Sequence, residues 1–235
     1  MKKIWLHGLA VLLLFLFPLF LASCRDTQAD AWKTLELLKA KQGVNTRDAL
    51  GNTALIFAAR EGHYHTAKLL MDYGADVNAQ NKSGETALMA VLSGLVNPPI
   101  LDEESPAFAR LPQDTQDRII ILKLLIANKA SVSSKDKTGR TALMKTALDN
   151  NAICAAYLIK LGAGVNDRDN AGMTPLGLLY DILNQNISAD LTQQNKQYPA
   201  NYNQADIAGR QNLVKQNFME QYGSLIKILK DAGGR

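Results

Sequence analysis

Cysteine is nearly absent from this chain: two residues in 235, Cys24 and Cys154. A disulfide framework is therefore excluded as the basis of the fold, which must rest on packing. Histidine is scarce as well, with His7, His63 and His65 the whole supply. No nucleophile elbow, phosphate-cradling glycine loop or Ser/His/Asp arrangement is present, so the reading is a non-enzyme with no cofactor. Aromatic residues make up 6% of the chain and do not interleave with any block of Lys or Arg, which argues against a nucleic-acid surface. Charge of one sign is also lacking. The formal net charge of +4 falls to +2 once Lys2 and Lys3 are set aside with the leader described next.

One long apolar run is present. Met1-Lys2-Lys3 precedes Ile4 to Leu21, and Leu21-Ala22-Ser23-Cys24 closes it. The run is of borderline length for a membrane span. A basic start, an apolar stretch and small residues at its end are the order of an export signal. Leu-Ala-Ser-Cys resembles the lipobox of bacterial lipoproteins, which implies cleavage before Cys24 and acylation of its sulfur. More than one acyl chain would make the anchor permanent. Arg25 follows the cysteine, where an aspartate would resemble an inner-membrane retention signal; the resemblance thus implies a cell-envelope protein on the outer membrane, facing the periplasm. Residues 1–23 read as the signal peptide and 24–30 as a tether, at most roughly 20 Å long when extended.

Self-comparison gives the organisation. Asp48-Ala49-Leu50-Gly51-Asn52-Thr53-Ala54-Leu55 returns as Asn81-Lys82-Ser83-Gly84-Glu85-Thr86-Ala87-Leu88. It returns again as Asp136-Lys137-Thr138-Gly139-Arg140-Thr141-Ala142-Leu143 and as Asp169-Asn170-Ala171-Gly172-Met173-Thr174-Pro175-Leu176. The glycines stand in sequence steps of 33, 55 and 33 residues, and Val44, Val77, Val132 and Val165 keep the same phase. Each glycine sits where a tight turn needs positive φ, and each following threonine can cap a helix. Thr66, Ala67, Leu69 and Leu70, or Ile121, Leu122, Leu124 and Leu125, predict an outer helix with one buried stripe. Gly74 and Gly162 predict left-handed caps at its end.

These residues resemble the ankyrin repeat, with its D-x-x-G-x-T-P-L turn, paired helices joined by a Gly-His turn, and an L-L-x-x-G-A-D-V-N ending. Gly51 to Ala79 matches most closely, Gly62-His63 included. The family's proline is Ala54, Ala87 and Ala142 in three copies, and its following histidine is Ile56, Met89, Met144 and Gly177, which weakens the expected hydrogen bonding of the turn. The implied fold is an all-α ankyrin-like helical solenoid with short β-turn fingers and two long inter-helix insertions. Its parts are an N-terminal capping helix (31–47), a repeat over 48–80, a repeat over 81–135 with insertion 96–117, a repeat over 136–168, and a C-terminal capping repeat over 169–235 with insertion 184–212. Apolar positions at Ile207, Val214, Phe218, Tyr222, Leu225 and Leu229 predict a long closing helix from about 204 to 231.

The resemblance places protein binding on the turn tips and inner-helix surface. By position this gives Ala49, Leu50, Asn52, Arg60 and Glu61, then Lys82, Ser83, Glu85 and Ser93. The later copies supply Lys137, Thr138, Arg140 and Asp149, followed by Asn170, Ala171, Met173 and Asp181. The mixed signs suit a specific polar partner. The insertions offer a second surface: Asp102, Glu103, Glu104 and Phe108 in the proline-rich first one, Tyr198 and Tyr202 in the amide-rich second one, both leaving the rim opposite the fingers. Cys154, aligned with Thr66 and Ile121, reads as a core residue. His63 reads as the Gly-His turn residue bonded to loop backbone. His65 with His63 is the only hint of a metal, and no ligand cluster supports it.

The expected protein is a monomeric, membrane-tethered periplasmic interaction module that scaffolds or binds another envelope protein. The alternatives are an immunity-type inhibitor of an effector such as a lipase delivered to the periplasm, and a periplasmic metal- or haem-handling protein.

Overall fold

A computed structural model describes residues 43–95, 98, 101–197 and 204–235, with 191–197 and 204–206 described by their backbone only. The leader, Cys24, the tether, residues 31–42 of the expected cap, Tyr198 and Tyr202 lie outside the described residues.

Each repeat opens with a threonine in extended backbone whose hydroxyl accepts from the amide three residues on: Thr53 from Ile56, Thr86 from Met89 and Thr141 from Met144. The extended threonine stops helix propagation toward the N-terminus and satisfies one of the first turn's orphan donors. The inner helices so started are α1 (Ala54–Glu61), α3 (Ala87–Gly94) and α5 (Ala142–Leu148), and the outer helices are α2 (Tyr64–Asp72), α4 (Gln113–Ala127) and α6 (Ala152–Lys160). The fourth repeat has α7 (Pro175–Gln197), opened by Thr174, whose hydroxyl accepts from Gly177, and α8 (Gln204–Asp231). Among the described residues there is no strand, only the isolated β-bridges Arg47–Thr53 and Lys135–Thr141 at finger bases.

The inner row is the core. Ala87, Leu88, Met89, Ala90, Val91 and Leu92 are all buried, because α3 has a helix on either side and its own outer helix behind. Outer helices bury one stripe: Thr66, Ala67 and Leu70 on α2, with Leu69 half-buried, and Ile119, Ile121, Leu122 and Leu125 on α4. Each such Leu or Ile contributes about 1.5–3 kcal/mol relative to exposure, shared across repeat boundaries, so no repeat is stable alone. Cys154 is fully buried on α6.

Two boundaries differ from the sequence reading. The first insertion ends at Pro112, since α4 begins at Gln113; Gln113 bonds Asp117 and Arg118 pairs with Asp114, supports that favour helix over loop. The second insertion does not interrupt the helices but lengthens them. Asn and Gln are acceptable in a solvated helix, and α7 and α8 pack together, with Arg210 3.8 Å from Asp190 across the pair.

Candidate functional site: fingers and inner-helix face

Every finger is organised by its first residue. The Asp48 carboxylate accepts from the amides of Leu50 and Asn52, each at 2.8 Å. Asn81 accepts likewise from Ser83 and Glu85, Asp136 from Thr138 and Arg140, and Asp169 from Ala171 and Met173. These bonds replace the turn network that the missing prolines and histidines of the family pattern put in doubt.

Fingers are also tied to one another. The amide of Lys82 donates to Leu50 O, that of Lys137 to Ser83 O and that of Asn170 to Thr138 O, each at 2.9 Å. The approach is close enough that a Cβ on Gly84, whose φ is +78°, would stand 2.6 Å from the Lys137 nitrogen. Below the tips a second row runs along the stack. Arg47 donates to Gln80 O, Gln80 to Lys135 O, and Lys135 to Arg168 O.

The expected site residues divide into two groups. Ala49, Leu50, Lys82, Ser83, Lys137, Thr138, Asn170 and Ala171 stand exposed at the tips, with Leu50 at 68% the most open large apolar side chain among those described. Glu61, Ser93 and Asp149 are exposed at the far end of the inner helices, and Asp181 is exposed within α7. The others are engaged internally. Asn52 is buried and accepts from Asn81 (2.8 Å) and Arg60. Arg60 pairs with Glu85 at 2.6 Å and Arg140 with Asp169 at 3.6 Å, while Met173 is half-buried. These groups hold the face rigid and leave the tips as its open part.

Electrostatics agree. The hydrogen bond from the Asn52 side chain holds the Asp48 carboxyl below its ordinary range. Burial pushes Asp136 upward, but bonds from the Thr138 hydroxyl and the Arg140 and Thr138 amides, with Lys145 nearby, outweigh it and lower the group. Partial desolvation of its carboxyl at the C-cap of α5 raises Asp149, although the residue as a whole is exposed, and Lys145 partly offsets the rise.

At the rim, Phe108 is 8% exposed and belongs to the core, because the single 3₁₀ turn Phe108–Arg110 folds inward; it anchors the first insertion and is not a surface residue. Glu103 pairs with Lys123 of α4 at 3.0 Å, leaving Asp102 and Glu104 exposed. His63 is the N-cap of α2, its ring 6.2 Å from Phe57, whereas His65 is exposed beside Tyr64. Among the described residues no group of three His, Cys, Asp or Glu is placed to hold a metal ion. The Cys154 thiol is pushed up to about 12 by burial, against a hydrogen bond from Asn151, so it is held as the unreactive thiol.

Two sets of residues escaped the sequence reading. Asn150, at φ +52°, and Asn151 occupy the place of Gly62-His63: Asn151 caps α6 by accepting from the Cys154 amide and donates to Leu95 O. Asn78 and Asn166 clamp successive repeats, each through its own side-chain amide. Asn78 donates to Lys129 O and accepts from Ser131 N, and Asn166 donates to Gly233 O and accepts from Arg235 N. Both signals lay in the 33-residue phase.

A family model described as "Ankyrin repeats (3 copies)" matches residues 19–97 and 115–196, more than half of the chain. The chain belongs to the ankyrin-repeat family. It is 34% identical over 146 residues to neurogenic locus notch homolog protein 1 of Homo sapiens, 33% to that of Mus musculus and 32% to that of Danio rerio. In each case the match covers 57% of this chain and 6% of the relative, so the chain spans only a small part of their length. Ankyrin repeats are protein–protein interaction modules.

Proposed function

We propose that this ankyrin-repeat protein is a lipid-tethered binding module of a bacterial envelope, holding another protein against the periplasmic face of the outer membrane by its finger tips and inner-helix ends. The observation that carries the binding reading is the row of exposed tip pairs, Ala49-Leu50, Lys82-Ser83, Lys137-Thr138 and Asn170-Ala171, on fingers bonded to one another. A preorganised row loses little conformational entropy when a partner docks. Mixed polar tips around one exposed leucine suit a folded protein better than a bulk charged polymer. The tether reading is supported by Leu21-Ala22-Ser23-Cys24 after the apolar run. Among the described residues no helix is long and apolar enough to cross a membrane.

Affinity capture from envelope extract tests the binding half, comparing the wild type with Leu50→Glu/Lys137→Glu. The reading expects one protein retained by the wild type and lost, about tenfold or more, by the variant; equal retention by both would refute it. Growth with labelled palmitate tests the tether, with label expected on the wild type and absent from Cys24→Ser.

A further inference from the structure

The junctions between repeats are not alike. Between the first and second, outer helices α2 and α4 lie against each other, and Asn78 ties the two repeat ends through both its side-chain donor and acceptor. Between the third and fourth, α6 packs on α8 and Asn166 makes the equivalent pair of hydrogen bonds, donating to Gly233 O and accepting from Arg235 N. Between the second and third, neither support is equalled. The residue in phase with Asn78 and Asn166 is Ser133, whose hydroxyl reaches only Ser131 of its own loop, 3.2 Å away. The outer helices α4 and α6 meet less closely than α2 with α4 or α6 with α8.

The inner side of this junction is intact. Inner helices α3 and α5 pack together, Lys137 donates to Ser83 O at the fingers, Gln80 donates to Lys135 O beneath them, and Asn151 donates to Leu95 O at the rim. Three ties from finger to rim define a line, and a line that holds one edge while the other is free is the geometry of a hinge.

We propose that the stack bends between its second and third repeats about this inner line, with α4 and α6 opening and closing on the outer side. The device deepens the binding reading and rests on it for its use: bending here changes the curvature of the finger row between Lys82-Ser83 and Lys137-Thr138, letting one sequence fit partners of differing shape. Serine at 133 sets the compliance, because its side chain is too short to span to the next repeat as the two asparagines do. Low local stability at one seam, and not a lid or a loop, is the source of the motion.

The test is pulsed electron-electron resonance on the full chain, with nitroxides carried by genetically encoded keto amino acids so that Cys24 and Cys154 are untouched. Asp72, Ala127 and Lys160 are exposed, in-phase positions on α2, α4 and α6. The 127–160 distance distribution is expected to be about twice as broad as the 72–127 one, and Ser133→Asn to narrow it toward the latter. Equal widths for the two pairs, or a broad 127–160 distribution unmoved by Ser133→Asn, would overturn the proposal. The readout needs no partner, so it stands apart from the capture experiment: a rigid junction with partner capture retained would remove the hinge alone.

Discussion

The two ends of the repeats follow different rules. At the finger end all four copies use the same parts: an Asp or Asn that gathers two amides, a glycine at φ +78° to +80°, and a threonine that starts the helix. At the rim end no two copies agree. The first turns through Gly62-His63, the second carries the segment anchored by Phe108, the third turns through Asn150-Asn151, and the fourth extends into the paired helices α7 and α8. The finger end fixes how repeats stack, because each finger must bond to the next through the same backbone groups, while the rim ties its neighbours through different side chains at each junction, Arg118 to Arg60 O, Asn151 to Leu95 O and Asn150 to Gln221 O, and so can vary.

Changes that attack the finger end should therefore cost most. Gly84→Val forces a branched side chain into positive φ and against the Lys137 backbone, and is expected to destabilise by about 4 kcal/mol in urea unfolding. A loss under about 1 kcal/mol would mean the finger row is not the stacking element. At the rim, Phe108→Ala should cost about 3 kcal/mol, as removal of a buried aromatic ring does. Its effect should be confined to the second repeat in hydrogen exchange, with amides of α7 unchanged. Asn151→Ala follows at roughly 2 kcal/mol, since it removes the α6 cap and leaves Leu95 O without its donor. Equal costs for Asn151→Ala and Gly84→Val would erase the contrast between the ends.

The smallest effect is on pH. Asp48 and Asp136 have folded pKa values below the ordinary 3.8, so their stabilisation is present above that value and is lost as pH falls through the folded one. Asp149 is raised and acts oppositely, its strain relieved on protonation. Asp136→Asn should flatten the acid limb of the stability curve, and Asp149→Asn should raise neutral-pH stability slightly; both are partly solvated, so both shifts are modest.

Legibility from sequence divides along the same line. The finger glycines and threonines were readable because a fixed period forces the same residue types into the same backbone conformations. Gly74 and Gly162 were readable as left-handed caps for that reason, with φ of +80° and +89°. Their counterpart after α4 was not, since Lys129 adopts φ +65° there with no glycine to announce it. Asn150-Asn151 hid similarly, doing the work of Gly-His with different side chains. In the insertions, proline and amide content suggested loops; the first is helical only at its end, where Asp114 pairs with Arg118, while the second is helix from 184 to 197 and again from 204, where the closing helix was expected. Phe108 and the acidic run beside it carried no sign of which would turn inward. Of the face itself, the exposed tips were identified by position, but the inward pairing of Arg60 with Glu85 and of Arg140 with Asp169 depends on distances between repeats that no single repeat reveals.

The central claim is that partners are held at the finger end. Photo-crosslinking tests it most directly, with the reactive group placed in turn at Leu50, Lys82, Lys137 and Asn170, and at Lys215 on the far extension of α8. The account predicts that one partner protein is trapped from the four tips and not from Lys215. Trapping from Lys215 with none from the tips would contradict it.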